Sequence, residues 1–114
     1  MLKPNVLRKK KDFSVLYNKG KSVGERYLVL FYRENGLSYS RRAYLASKKV
    51  GGSVQRNRAR RLLRESHRDL EEDIKVGYDL IFIARKSIIN LKYADVKKSM
   101  EAALKKASLK EKKL

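Results

Sequence analysis

The chain has no cysteine, no tryptophan, one proline and one histidine, and only 12 of its 114 residues are acidic. Without cysteine there are no disulfides, no thiolate nucleophile and no thiolate zinc site, so stability must come from one hydrophobic core. The lone histidine, His67, lies in a highly charged segment and reads as a surface residue; no Ser-His-Asp triad or histidine-based metal site can be assembled. Glu71, Glu72 and Asp73 are the one acidic cluster, and at a predicted helix end they read as a solvated terminus rather than a two-metal centre. Gly51-Gly52 lacks the further spaced glycines of a nucleotide-binding loop. No apolar run reaches the roughly 18 residues of a membrane span. Met1 opens no signal-peptide pattern, so a soluble, cytoplasmic protein without a membrane partner is expected.

What the chain has is positive charge. Its 30 Lys and Arg leave a net charge of +18 and a pI of about 10.3. Such a charge raises self-repulsion in the compact state and favours polyanions as ligands. Hydrophobic content of 42% suffices for one folded domain over residues 1–114. A domain of this length buries roughly 60 to 70% of the surface of its unfolded chain.

Residues 1–11 carry the only proline and a basic run, and read as an N-terminal arm with little to bury. Asp12 is a candidate cap for a short amphipathic helix with Phe13, Leu16 and Tyr17 on one face, ended by Gly20. Tyr27 to Tyr32 has strand length and strand composition. The Glu34-Asn35-Gly36 turn signal predicts an antiparallel hairpin with the extended segment 42–47. Ser53 is a candidate N-cap for a helix running to about Leu70, with Ala59, Leu62, Leu63, Ser66 and Leu70 on its apolar face. Tyr78 to Ala84 reads as a strand buried on most sides, and 91–107 as a helix with Tyr93, Val96, Met100, Ala103, Leu104 and Ala107 along one stripe. Residues 108–114 form a Lys-rich tail expected to fray. The fold class is therefore α+β, a single-domain α-β-β-α-β-α sandwich of a small central sheet with helices packed on it. Pattern alone favours a right-handed crossover wherever parallel strands flank the Ser53 helix.

The most informative stretch is 47–65, SKKVGGSVQRNRARRLLRE. From Lys48 onward it sets seven cations against Glu65 alone. Asn57, Arg60, Arg61, Arg64 and Arg68 cluster opposite the apolar face. A solvated charged face is the ordinary reading of such a stripe. Here, however, the like-charge pairs Arg56/Arg60, Arg60/Arg64 and Arg64/Arg68 each cost the isolated helix roughly 0.2 to 0.5 kcal/mol. Stacking them makes physical sense when a polyanion neutralises them, and arginine suits bidentate phosphate contact and stacking on bases. Phe13, Tyr17, Phe31 and Tyr44 could line one cleft between the first helix and the sheet. Core packing accounts for any single one of them; together with basic neighbours they would suit single-stranded nucleic acid. A structural RNA binder of ribosomal-protein type shares this size, charge and build. A duplex-DNA architectural protein should add wedge elements or a dimer interface, which the sequence lacks.

The 47–65 segment resembles the signature of the bacterial ribonuclease P protein component, in which a strand ending in Ser-Lys-Lys-Val-Gly leads into a helix bearing Arg-Asn-Arg and then Arg-Glu. The likeness extends to the Lys-rich start before Asp12-Phe13, to Gly20, to the Tyr27–Tyr32 strand, to Ile83-Ala84-Arg85-Lys86 and to the C-terminal helix. The resemblance implies the protein subunit of an endonuclease that removes the 5′ leader of precursor tRNA. Its partners would be the catalytic RNA and the precursor, with no further protein required. The catalytic groups and Mg²⁺ would reside mainly on the RNA, with no organic cofactor. It implies a left-handed βαβ crossover, against the pattern-based default. It also implies that Lys49, Arg56, Asn57, Arg58, Arg60, Arg61, Arg64 and Arg68 face the catalytic RNA. Phe13, Tyr17, Phe31, Tyr44, Ser47 and Lys48 would hold the leader, with Arg85 and Lys86 at the rim. Tyr17 stands where a Phe is frequent and Arg60 where a Lys is frequent, which keeps the stacking face and the charge. Ala43-Tyr44-Leu45-Ala46 departs from a Gly-aromatic-Ser-Val run and alters the sheet surface expected beside the leader.

Overall fold

The computed structural model describes residues 5–111. Its element order is α1 (Lys10–Lys19), β1 (Lys21–Gly24), β2 (Leu28–Glu34), β3 (Arg41–Leu45), α2 (Ser53–Leu70), β4 (Tyr78–Ala84) and α3 (Tyr93–Lys106), with 3-10 turns at Glu71–Asp73 and Lys86–Ile88. The sheet order is β1-β2-β4-β3, antiparallel except for the parallel pair β3 and β4.

The α+β sandwich stands, but two sheet expectations do not. β2 and β3 are not a hairpin: β4 lies between them, pairing Leu30 with Phe82 on one side and Tyr44 with Phe82 on the other. β4 takes the centre because its four residues Asp79 to Phe82 are all buried, which only a strand covered on both faces and both edges can satisfy. α2 is therefore the crossover between parallel strands. β1 was not anticipated; its four residues, Lys-Ser-Val-Gly, are largely exposed on the sheet edge.

The two faces of the sheet differ. Leu28, Leu30, Leu80, Phe82 and Ala84 face α2 and α3, meeting Leu62, Leu63, Val96, Met100 and Leu104 in the main core. Fully burying each of these Leu, Val, Met and Phe side chains contributes roughly 1.5 to 3 kcal/mol before entropy is counted. Ala43 and Ile81 face the other way, onto Leu16 of α1, with Phe13, Phe31, Leu45 and Ile83 around them. The layers are α1, sheet, then α2 with α3. Asp79, buried on the α1 side of β4, accepts from Arg41 Nε at 2.8 Å, Arg41 Nη2 at 2.6 Å and Asn35 Nδ2 at 3.0 Å, which ties the two parallel strands together at their starts.

Both termini are more engaged than their charge suggests. Residues 5–7 of the expected arm run alongside β3: Arg42 N donates to the Asn5 carbonyl and Leu7 N to that of Arg42, and Leu7 is buried. Of the expected fraying tail, Leu109 is buried and its carbonyl accepts from Lys75 N at 2.8 Å. In each tail one or two apolar side chains find the core although lysines surround them in sequence. The rest of those tails, 1–4 and 112–114, lies outside the described residues. Helix caps also differ: Lys9 precedes α1, with Asp12 inside its first turn, and Gly52 rather than Ser53 caps α2 without a side-chain bond. Gly20 caps the end of α1, where a Cβ would stand 2.4 Å from the Leu16 carbonyl oxygen.

Candidate nucleic-acid interface

Two surfaces carry the residues singled out above, on opposite faces of the sheet. On the α1 face, Phe13 and Tyr17 lie one turn apart with ring centroids 6.4 Å apart, and Tyr17 meets Phe31 edge-on at 5.0 Å. Phe13 and Tyr17 line an open groove of about 540 Å³ with Lys10, Ser14, Asn18 and Leu45. Tyr17 remains 42% exposed, more than core packing of a tyrosine requires. Ser47 and Lys48 follow β3 directly, and Arg85 and Lys86 follow β4, whose Ile83 pairs with Leu45; all four are exposed at this end of the sheet. The Arg85 guanidinium lies over Gly24, where a Cβ would approach it to 2.9 Å. The groove is apolar at its base with Lys10 as the cation in its lining; Ser47, Lys48, Arg85 and Lys86 are not among the residues that line it.

Tyr44 does not belong to this groove. Successive strand residues point to opposite faces, and Ala43 and Leu45 face α1, so Tyr44 faces α2. Its ring stacks on Phe82 at 5.9 Å and 17°, and its hydroxyl lies 2.6 Å from His67 Nδ1. His67 is likewise not a surface residue but buried, 3% exposed, because it follows Leu63 by one helical turn on the core stripe. Burial, aided by the Arg42 charge, pushes the imidazole down to about 4. Burial pushes the Tyr44 phenol up to about 12, against the opposing charges of Arg42 and Arg64. Both groups are thus neutral, and the phenol oxygen and Nδ1 share one hydrogen bond.

On the α2 side, Asn57, Arg58, Arg60, Arg61 and Arg64 line a cleft of about 600 Å³ with Tyr44 at its edge on the sheet and the exposed Val54 at the helix start. Arg60 donates to the Asn57 carboxamide one turn earlier, which fixes its direction. Arg58 is anchored to the Leu91 carbonyl, so its guanidinium also joins α2 to the segment before α3. Lys49, Arg56 and Arg68 do not line the cleft. Lys49 and Arg68 are exposed, and Arg56 is half-buried with its Nε unbonded. The turn before α2 is set by Gly51, whose φ of +146° and 2.9 Å approach to Gln55 Cβ exclude a side chain. With no side-chain cap, the amides of the first turn of α2 add a positive partial charge beside Lys48 and Lys49.

Among the described residues no group of three or more His, Asp or Glu side chains converges as a metal site. Glu71 of the acidic run is 3.6 Å from Arg42. No described helix is long and apolar enough to cross a membrane. Residues missed in sequence include Lys10, Ser14 and Asn18 of the groove, for which spacing along α1 was the available signal, and Val54 of the cleft. A further groove of about 470 Å³ at the other end of the sheet gathers Lys19, Lys21, Arg33 and Lys75 from four separate segments.

Comparison with known proteins gives a consistent result. The family model described as Ribonuclease P matches residues 1–108. The chain is 44% identical over 107 residues to the ribonuclease P protein component of Caldanaerobacter subterraneus subsp. tengcongensis, covering 94% of this chain and 92% of that one. It is 45% identical over 109 residues to that of Clostridium botulinum, covering 95% and 98%. Among solved structures it is similar to the Staphylococcus aureus RNase P protein, with a TM-score of 0.86 at 31% identity over 96% of this chain and 100% of that chain. The Thermotoga maritima RNase P protein gives 0.80 at 31% identity, over 88% and 94%.

Proposed function

The chain belongs to the ribonuclease P protein family, and from that premise we propose that it is the protein subunit of a bacterial ribonucleoprotein endoribonuclease that matures the 5′ end of tRNA. The observation that carries this reading is the pairing of an aromatic groove on one face of the sheet with an arginine cleft on the other. One rigid sheet can then hold two RNA segments at a fixed separation. In this reading the catalytic RNA lies along Lys49, Arg56, Asn57, Arg60, Arg61, Arg64 and Arg68, with Arg58 shared between RNA and the Leu91 anchor. The single-stranded leader of the precursor lies over Phe13, Tyr17 and Phe31 toward Ser47 and Lys48, with Arg85 and Lys86 at the rim.

The contribution is binding rather than chemistry. Holding the leader removes orientational freedom that the cleavage step would otherwise lose. Lysine and arginine neutralise phosphates that would otherwise repel one another, with release of counterions. Mg²⁺ held by the RNA would supply charge stabilisation at the phosphodiester; among the described residues no group of three or more acidic or histidine side chains converges to hold it. The protein works in the cytoplasm and needs no further protein partner.

Cleavage of a precursor tRNA by a bacterial ribonuclease P RNA at limiting Mg²⁺, with and without the chain, tests this. Restored cleavage supports the proposal. Tight RNA binding without any rescue would make the chain a structural RNA binder.

A further inference from the structure

Phosphate contacts alone do not need the floor that the arginine cleft has. Its cationic wall is α2, while its other side is Tyr44 of β3, the one aromatic ring in the lining. That ring is immobilised three ways: it stacks on Phe82, it packs against the His67 ring at 5.8 Å, and its hydroxyl is held by His67 Nδ1. Phe82 and His67 are themselves buried, and their rings lie 4.9 Å apart, so Tyr44 cannot swing away without opening the core. A fixed aromatic surface beside Arg60, Arg61 and Arg64 reproduces the two elements of single-strand recognition, a stacking platform and cations for the flanking phosphates. Val54, 78% exposed at the mouth of the cleft, adds an apolar contact suited to a ribose or a base edge.

We infer that this cleft takes an unstacked nucleotide of the catalytic RNA, its base against Tyr44 and its flanking phosphates on Arg60, Arg61 and Arg64. The inference rests on the functional reading above and sharpens it: the α2 face reads a looped-out or bulged residue and not only the backbone charge of a helix. Tyr44 serves the RNA on the α2 side, while the leader is held by Phe13, Tyr17 and Phe31 on the far side of the sheet. The His67 hydrogen bond makes His67 a positioning residue for the platform.

The test is binding of the full chain to the catalytic RNA across a range of salt, with chemical probing of the RNA in the complex. Tyr44→Leu should weaken binding about tenfold, the loss of one stacked base, with an unchanged salt slope and one nucleotide losing protection. Tyr44→Phe keeps the ring and should bind within about threefold of wild type, although it melts earlier because His67 Nδ1 loses its hydrogen-bond partner. Arg64→Ala should instead make the salt slope shallower by about one. Wild-type affinity for Tyr44→Leu, equal losses for Tyr44→Leu and Tyr44→Phe, or a Tyr44→Leu salt slope as shallow as that of Arg64→Ala would each overturn the inference. Failure of the wild-type chain to bind the catalytic RNA at all would instead overturn the functional reading on which it rests.

Discussion

The Tyr44 hydroxyl and His67 Nδ1 are hydrogen-bonded at 2.6 Å inside the interface between β3 and α2. A phenol held up near 12 and an imidazole held down near 4 keep this bond neutral on both sides across the ordinary pH range. A charged imidazole would be a buried cation in a site already facing Arg42.

Stability should therefore fall on mild acidification. The folded pKa of His67 lies below its unfolded value, so the unfolded chain binds the proton first. The stabilisation is complete above about pH 6.5 and is lost as pH falls from there toward about 4. Between about pH 7 and pH 5 this amounts to about 2 kcal/mol, before most carboxylates titrate. His67 is the only histidine, so urea unfolding at the two values isolates it, and His67→Phe should flatten the difference. An equal acid loss in His67→Phe would assign the effect elsewhere.

Arg58 and Arg64 separate an arginine that is also a structural anchor from one without that anchor on the same helix. Arg58→Ala removes the bond to the Leu91 carbonyl and should cost about 1 to 3 kcal/mol of stability. Arg64→Ala, which is exposed and lines the cleft, should change stability by less than about 0.5 kcal/mol. It should also remove about one unit from the slope of log affinity against log salt for the catalytic RNA. Urea melts and salt-dependent titrations of both variants check the contrast.

Anions should stabilise the free protein. With a net charge of +18, arginines at i, i+4 along α2 repel one another unless neutralised. Sulfate bound only by the native state should raise stability by about 1 to 3 kcal/mol at concentrations ten- to a hundredfold above its Kd. Thermal melts in sulfate against chloride at equal ionic strength measure this, and Arg60→Ala with Arg64→Ala should shrink the gain.

The helices, β4 and the basic stripe were legible because each is a local pattern: period in α2 and α3, apolar density in 78–84, and charge in 48–64. Strand pairing was not legible, since Arg41–Leu45 could satisfy its edges beside β2 or β4 and only the burial of β4 on both edges decides. β1 has a polar four-residue sequence without alternation to betray it. The groove to which Tyr44 belongs is not legible because alternation separates it from Ala43 and Leu45 but does not say which face α1 covers. The His67 signal was present, at i+4 from Leu63 and three before Leu70, and was overridden by the charge around it. Leu7 and Leu109 were masked in the same way.

The central claim, that the aromatic groove holds the leader while the α2 face holds the catalytic RNA, is tested most directly by the affinity of the reconstituted holoenzyme for precursor relative to mature tRNA. The wild-type chain should favour the leader-bearing substrate. Phe13→Ala with Tyr17→Ala should reduce that preference by about tenfold or more, at roughly 1 to 3 kcal/mol per stacked base, and leave mature tRNA binding unchanged. Equal losses for both tRNAs, or an undiminished preference for the precursor, would contradict it.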